Sequence, residues 1–287
     1  MGVFKAAAIQ MRSGKDPRRN VVDFEALVRE AAGQGATYIQ TPEMTGAVLR
    51  DQEARRTSFT TQDQDPVVAA GARLARELGV FLHIGSTAIV RADGKLANRA
   101  LLFSPDGEAI ATYDKIHMFD VDLDNGESWR ESNAYEPGTA AVVADLPFAR
   151  LGFAVCYDLR FPQLFRAEAL AGADVLTVPA AFTRQTGQAH WHVLLRARAI
   201  ENGAYVIAAA QGGLHEDGRE TFGHSLIVDP WGRIIAEAAH DEPGIIVAEI
   251  DTAQSVAARR KIPNLKNARE FSTGAPSAPA SLRGAAS

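Results

Sequence analysis

The chain has 287 residues, 46% hydrophobic and 23% charged, a composition typical of one globular domain and incompatible with general disorder. Its 30 basic and 35 acidic side chains give a net charge of −5, without the basic footprint that nucleic-acid binding requires. The longest apolar runs, such as Tyr205–Ala210, are too short to span a bilayer. We therefore expect neither nucleic acid nor a membrane as a partner.

In the first half of the chain, strand-like and helix-like segments alternate. Apolar spacing predicts strands and helices in the order Phe4–Met11 (strand), Asn20–Ala32 (helix), Tyr38–Pro42 (strand), Pro66–Leu78 (helix), Val80–Ser86 (strand) and Ala100–Ser104 (strand). An Asp-Gly pair at 93–94 predicts a hairpin turn between strands.

The second half repeats this alternation. Its predicted elements are Arg150–Cys156 (strand), Pro162–Ala171 (helix), Asp174–Pro179 (strand), Gln188–Glu201 (helix), Tyr205–Ala210 (strand), His224–Val228 (strand) and Ile245–Ile250 (strand). The pattern is typical of an α/β fold in which helices cover buried sheets. We predict one domain over residues 1–271. From 272 to 287 Ala, Ser, Pro and Gly dominate, which predicts a tail that is flexible or packed on a partner subunit.

Cys156 is the only cysteine, so a disulfide within the chain is impossible and a reducing, cytoplasmic compartment is expected. It ends an apolar strand shortly before the helix at Pro162. Backbone N–H groups at such a junction lower the pKa of a thiol. The N–H of Tyr157 is also placed to donate to an oxyanion. The alternative is an inert, buried cysteine at a strand end.

A thiol nucleophile requires a base, and the sequence offers two candidates. His117 stands beside Lys115, and Glu43 ends a predicted strand, where functional loops emerge in α/β folds. Burial raises the pKa of a carboxyl group, which would make Glu43 a base. An enclosed Lys115 needs a carboxylate partner, which Glu43 can supply. The alternatives are a solvated loop carboxylate and a surface lysine.

Together these segments resemble the nitrilase superfamily of carbon–nitrogen hydrolases. Its Glu–Lys–Cys triad falls on Glu43 in T-P-E, on Lys115 in Y-D-K-I-H and on Cys156 in C-Y-D-L-R-F-P. A second glutamate of the family falls on Glu131. The resemblance extends from about residue 3 to about residue 270. It implies that these four residues are catalytic.

Further stretches are similar to the branch that contains omega-amidases and deaminated glutathione amidases: A-H-W at 189–191, L-R-A-R-A-I-E at 195–201, A-A-A-Q at 208–211 and G-H-S at 223–225. In that branch an arginine and a threonine hold the substrate carboxylate, and the resemblance places them at Arg160 and Thr186. An arginine fork fits a carboxylate bidentately. An ion pair of Arg160 with Asp158 or Glu168 is the alternative. The sequence departs from the branch at 184–185 and 212–213, which leaves the acyl group open.

The resemblance implies a four-layer α-β-β-α sandwich that forms homodimers or higher homo-oligomers and uses no metal and no organic cofactor. The expected function is hydrolysis of the terminal carboxamide of a small carboxylate-bearing substrate, namely deaminated glutathione or an omega-amide of a keto acid. The products are an acid and ammonia, formed through a thioester on Cys156. 

Other functions stay open at this stage. They are an N-carbamoyl amino acid amidohydrolase, an aliphatic amidase, a true nitrilase and a catalytically silent binding protein on the same scaffold. A metal hydrolase that uses His190 and His192 is a further alternative. Residues two apart on a helix point in different directions, which argues against that histidine pair.

Overall fold

The computed structural model describes residues 2–122, 126 and 128–274. Within them the strands are Val3–Gln10 (β1), Tyr38–Gln40 (β2), Phe81–Val90 (β3), Leu96–Phe103 (β4), Ala109–Asp114 (β5), Asp120–Asp122 (β6), Ser128–Arg130 (β7), Val143–Asp145 (β8), Arg150–Phe153 (β9), Val175–Thr177 (β10), Tyr205–Ala208 (β11), Gly212–Leu214 (β12), Glu220–Phe222 (β13), Leu226–Val228 (β14), Ile234–Glu237 (β15) and Gly244–Asp251 (β16). The α-helices are Pro17–Gly33 (α1), Gln52–Ser58 (α2), Pro66–Leu78 (α3), Pro162–Leu170 (α4), Arg184–Asn202 (α5), Ala253–Lys261 (α6) and Asn264–Asn267 (α7).

The long strands form two mixed sheets of six strands each among the described residues. The first has the order β16-β1-β2-β3-β4-β5, and the second has the order β15-β14-β11-β10-β9-β8. In each sheet three central strands are parallel, β1-β2-β3 in the first and β9-β10-β11 in the second. Parallel strands place their carboxyl ends at one edge of a sheet, where functional loops collect.

Strand β1 shows how the layers are built. Ala6 and Ala8 pack into the core between the two sheets, whereas Ala7 and Ile9 pack into the core under helices α1 and α3. Successive side chains of a strand point to opposite faces, so a strand covered on both faces is apolar throughout. Helices α4 and α5 cover the second sheet in the same way. The predicted four-layer α-β-β-α sandwich is confirmed.

Most predicted elements form close to their predicted bounds, and α3 matches residue for residue. Five predicted boundaries differ from the structure by three or four residues. Helix α1 begins at Pro17, strand β3 ends at Val90 and strand β4 begins at Leu96, where Asn20, Ser86 and Ala100 were predicted. The other two boundaries lie near Cys156 and at the start of α5. The strand predicted to end at Cys156 ends at Phe153, and a 3₁₀ turn, Cys156–Arg160, follows it. Helix α5 begins at Arg184, before the predicted start, and includes Gly187 in its first turns. A Cβ atom on Gly187 would lie 2.3 Å from the Phe222 side chain, so packing explains this helical glycine.

Among the helices formed by the described residues, none is both long and apolar enough to cross a membrane. The tail predicted at 272–287 lies almost wholly outside the described residues, which end at 274. Its first residues, 272–274, are exposed.

The carboxyl ends of the two sheets meet at Gly85, in the middle of β3. A Cβ atom at this position would lie 2.0 Å from the Thr41 carbonyl oxygen and 2.4 Å from Pro179 Cβ. Thr41 follows β2 of the first sheet and Pro179 follows β10 of the second. Glycine is therefore required here because two backbone segments approach it from different sheets.

We expect Gly85→Ala to lower the free energy of unfolding by about 1–3 kcal/mol, because the added methyl group overlaps rigid backbone atoms. The matched control is Gly33→Ala at the end of α1, where a Cβ atom would have nothing within 4 Å. That change should leave stability unchanged or raise it by up to about 1 kcal/mol. Urea denaturation of both variants measures the difference, and equal stabilities would contradict the steric account.

Candidate active site

Three loops that are distant in sequence meet where the sheets meet. Glu43 follows the carboxyl end of β2, Cys156 follows the carboxyl end of β9, and Lys115 directly follows β5. All three side chains line one cavity of about 660 Å³. Glu131, the first residue of a 3₁₀ turn after β7, lines it as well. The structure therefore brings together the four residues to which the resemblance assigned catalytic roles.

Lys115 is the buried centre of this group. Its ammonium nitrogen lies 3.0 Å from Glu43 Oε1 and 2.8 Å from Glu131 Oε2. The Lys115 side chain is 1% exposed, that of Glu43 6% and that of Glu131 13%. A buried ammonium between two carboxylates is satisfied in charge and in hydrogen bonding, whereas either partner alone would be costly to bury. The burial of Lys115 excludes the alternative that it is a surface lysine.

Backbone and amide donors fix the two carboxylates. Asn98 Nδ2 donates to Glu43 Oε1 at 2.9 Å and to Glu131 Oε1 at 3.0 Å. The N–H of Ala181 donates to Glu43 Oε2 at 2.9 Å. Sequence analysis missed Asn98, although a polar residue in the apolar strand β4 was a signal, because a buried amide needs partners.

Cys156 has an unusual backbone conformation. Its φ is +49°, in the left-handed region that non-glycine residues seldom adopt, and its N–H donates to the Pro179 carbonyl at 2.9 Å. Strain of this kind persists where the surroundings hold it, often at functional sites. The first hydrogen bond inside the turn runs from Asp158 N–H to the Val155 carbonyl. The Tyr157 N–H comes one residue before this bonded N–H, so the turn itself does not use it. An N–H that donates to an oxyanion must be left unused in this way.

Asp158 ties the cysteine turn to the lysine segment. Its carboxylate accepts hydrogen bonds from Val155 N–H at 2.9 Å, Tyr113 Oη at 2.7 Å and His117 N–H at 3.0 Å. The ring of His117 also contacts it, with Nδ1 2.6 Å from Asp158 Oδ1. His117 is thus engaged with Asp158 and stacked on Phe161. It is not placed as the base of the thiol.

The charges of the group shift its pKa values. Burial alone would lower the pKa of Lys115, but Glu131 and Glu43 outweigh it and raise that pKa well above its usual range. Burial alone would raise the pKa of Glu43, but Lys115 and hydrogen bonds from Cys156 and Asn98 outweigh it, so the pKa falls below its ordinary value. Our expectation that burial would raise the pKa of Glu43 was wrong for this reason. Glu43 is an ionised carboxylate at neutral pH.

The pKa of the Cys156 thiol moves opposite to our expectation. Burial and then the negative charge of Glu43 raise it well above its ordinary value, and Lys115 offsets them only in part. We expected a nearby helix end to lower this pKa, but α4 begins only at Pro162. The resting pair is therefore a thiol beside a carboxylate that is placed to accept its proton.

The remaining two predicted residues line the same cavity, Arg160 at the end of the Cys156–Arg160 turn and Thr186 on α5. Arg160 Nη1 contacts His190 Nδ1 at 3.2 Å, and its guanidinium lies over the rings of Phe182 and Tyr157. Neither Asp158 nor Glu168 forms an ion pair with Arg160 among the described residues. Thr186 is buried in the first turn of α5, whose N-terminus favours anions.

His190 and His192 do not form a pair, as their spacing on α5 predicted. His192 instead lies beside His224 and Glu237, and the ligand atoms of these three residues are within 4.8 Å of one another. The three side chains lie outside the residues that line the cavity of Cys156. The alternative of a metal hydrolase built on His190 and His192 thus has no geometric support among the described residues.

Comparison with known proteins identifies the family. The model of the carbon-nitrogen hydrolase family matches residues 5–260, so the chain belongs to this family. It is an amidase of the nitrilase superfamily, a hydrolase that acts on carbon–nitrogen bonds. The chain is 40% identical over 274 residues to a deaminated glutathione amidase of Yersinia enterocolitica, and the match covers 94% of each chain.

Two solved structures illustrate the similarity of fold. The NitFhit protein of C. elegans superposes with a TM-score of 0.87 at 32% identity, and the match covers 94% of this chain and 66% of that one. A mutant of the amidase from Nesterenkonia sp. AN1 carries acrylamide added to its active-site cysteine. It superposes with a TM-score of 0.76 at 26% identity, and the match covers 91% of this chain and 98% of that one.

We expect Glu43→Gln to lower the pKa of the Cys156 thiol, because the neighbouring negative charge is removed. Lys115→Met should raise this pKa further, because the offsetting positive charge is lost. Since Cys156 is the only cysteine, the rate of alkylation by iodoacetamide against pH reports this thiol alone. Glu237→Gln, which changes a carboxylate outside the cavity, is the control. An unchanged titration midpoint in Glu43→Gln would contradict the electrostatic coupling.

Proposed function

We propose that the chain hydrolyses the amide of a small substrate whose acyl half carries a carboxylate, such as deaminated glutathione or an omega-amide of a keto acid. The observation that carries the proposal is the position of Arg160 and Thr186 in the cavity that holds Cys156. A guanidinium and a helix N-terminus favour a carboxylate. The similarity to a deaminated glutathione amidase over 94% of the chain supports the same substrate class.

The first half of the reaction forms a thioester. Glu43 takes the proton of the Cys156 thiol as the sulfur attacks the amide carbon. The negative charge that develops on the amide oxygen is held by Lys115 and by the Tyr157 N–H, and one such donor contributes about 3–4 kcal/mol in comparable sites. Glu43 then gives the proton to the departing nitrogen as the carbon–nitrogen bond breaks, and the acyl group remains on sulfur.

The second half releases the acid. A water molecule takes the place of the departed amine, and Glu43 removes its proton as the oxygen attacks the thioester carbon. The carbon–sulfur bond breaks, the proton returns to sulfur and the carboxylic acid leaves. Glu131 holds Lys115 at 2.8 Å and is itself fixed by the Phe119 N–H at 2.7 Å. We assign Glu131 the role of keeping Lys115 charged and oriented, and of helping to position the water.

We further propose a cytoplasmic homodimer. The absence of any second cysteine in the sequence fits a reducing compartment. Apolar side chains on the outer face of α5 support a subunit contact, since Val193 is 66% and Ile200 51% exposed. Light scattering during gel filtration would measure the mass of the assembly.

Cys156→Ala should reduce turnover of a carboxylate-bearing amide by at least about 1,000-fold, because no other group can form the thioester. Its folding should be intact, since the change only shortens a small side chain. Cys156→Ser should be nearly as inactive, because a hydroxyl is a much weaker nucleophile at neutral pH. Product release assays and thermal unfolding test both points. Turnover by Cys156→Ala near the wild-type rate would exclude the proposed mechanism.

Arg160→Ala should cost about 2–5 kcal/mol of transition-state binding for an acidic amide. Arg160→Lys keeps the charge but loses the planar fork, so it should cost less and still weaken binding. A neutral amide of the same length should be a poor substrate already and lose little more. The measurement is kcat/KM for both amides with each protein. An equal fall for both amides would mean that Arg160 supports the site without holding a carboxylate.

A further inference from the structure

Two histidines and a glutamate lie together on the side of the second sheet that α5 covers. They are His192 in the middle of α5, His224 between β13 and β14, and Glu237 at the end of β15. All three lie outside the residues that line the cavity of Cys156. The reaction proposed for that cavity therefore gives this group no role.

The two imidazole rings and the carboxylate converge on one point. His192 Nε2 lies 2.8 Å and His224 Nδ1 lies 3.3 Å from the same oxygen, Glu237 Oε1. One ligand atom from each residue lies within 4.8 Å of the other two. The ligand atoms of a tetrahedral Zn²⁺ ion are each about 2.0–2.2 Å from the metal and therefore stand about 3.4 Å apart. Small rotations of the three side chains would thus admit an ion among these atoms.

The surroundings fix the histidines before any ion binds. His224 has a φ of +55°, its N–H donates to the His240 carbonyl at 3.1 Å, and its carbonyl accepts from Trp191 Nε1 at 2.8 Å. Its ring stacks on Phe222 with the centroids 4.2 Å apart, and the ring of His192 meets the same phenyl ring edge-on at 6.0 Å. Because packing and hydrogen bonds hold these ligands, little ordering is needed when they bind a metal.

The donor atoms select the kind of ion. Ca²⁺ and Mg²⁺ prefer oxygen ligands, whereas two imidazole nitrogens and one carboxylate suit Zn²⁺ and similar transition-metal ions. Within the described residues Glu237 forms ion pairs with the two histidines and with no lysine or arginine, so its charge is available to a cation. The side chains of His192, His224 and Glu237 are 32%, 25% and 25% exposed, which leaves a path for the ion and room for a water.

We propose that His192, His224 and Glu237 bind one Zn²⁺ ion, with a water molecule as the fourth ligand. The ion joins helix α5 to β15, the outer strand of the second sheet. Its role is structural, because its ligands lie outside the cavity of Cys156. Helix α5 also carries Thr186, so the ion stabilises a helix that forms part of the cavity wall.

Zinc binding is measured on full-length Cys156→Ala protein that has been treated with EDTA and dialysed, so that the thiol cannot take up the ion. Calorimetric titration with ZnCl₂ should give one ion per chain and a Kd of about 1 µM or tighter. His192→Gln, His224→Asn and Glu237→Gln, each added to this protein, should raise the Kd by about 100-fold or more, because even residues behind a ligand contribute about 10- to 100-fold. Asparagine is chosen at 224 because it tolerates a positive φ. His240→Gln, which changes an exposed histidine nearby, is the control and should keep the Kd.

Thermal unfolding tests the structural role. Free Zn²⁺ at about 100 times the Kd should raise the unfolding midpoint of the Cys156→Ala protein by about 5 °C and should leave that of the added Glu237→Gln variant unchanged. Binding without a rise of the midpoint would overturn the structural role.

The titrations decide whether the site exists. A Kd that His192→Gln and Glu237→Gln leave unchanged would overturn the proposal, and these two variants decide the matter if His224→Asn does not fold. A Kd that His240→Gln raises as much as they do would also overturn it, because the ion would then bind surface histidines without a defined site. The absence of one-to-one binding would have the same meaning.

Discussion

The site depends on one buried cation. Lys115 lies almost without solvent contact between Glu43 and Glu131, with Asn98 joining the two carboxylates. Such a group is stable only when every member is present, because removing one leaves an uncompensated buried charge that costs about 3–5 kcal/mol. The same arrangement lowers the pKa of Glu43, which keeps it ionised and ready to accept a proton. The stability of the buried group and the ionisation of Glu43 thus depend on the same ion pairs.

The fold places the Cys156 thiol beside this group through a strained turn. Cys156 adopts a positive φ, and Asp158 fixes the turn by binding Val155, Tyr113 and His117. The last two flank Lys115, so one carboxylate couples the two motifs. From the other side, Arg198 of α5 donates twice to the Leu159 carbonyl, at 3.1 and 2.7 Å. A turn held from both sides can keep an unfavourable backbone conformation.

Several parts of this description could be read from the sequence. Alternating apolar runs predicted an α/β fold, and apolar spacing predicted α3 residue for residue. The order of three motifs predicted the family and its four-layer architecture. The boundaries near the site were less predictable. The strand before Cys156 ends early because Cys156 adopts a positive φ and the Asp158 N–H turns back to the Val155 carbonyl. Helix α5 starts early and includes Gly187, which packs against Phe222.

By itself, the sequence pointed to the residues that the structure brings together in one cavity: one cysteine, a glutamate after a strand and a lysine among aromatic residues. Tertiary structure alone decided their ionisation, because the pKa of Glu43 and that of Cys156 depend on burial and on charges from distant segments. It also decided that Asn98 joins two carboxylates and that Arg50 and Arg219 share the ring of Trp129. Such relations have no local signature, since they join residues that only the packing of two sheets brings within a few ångströms.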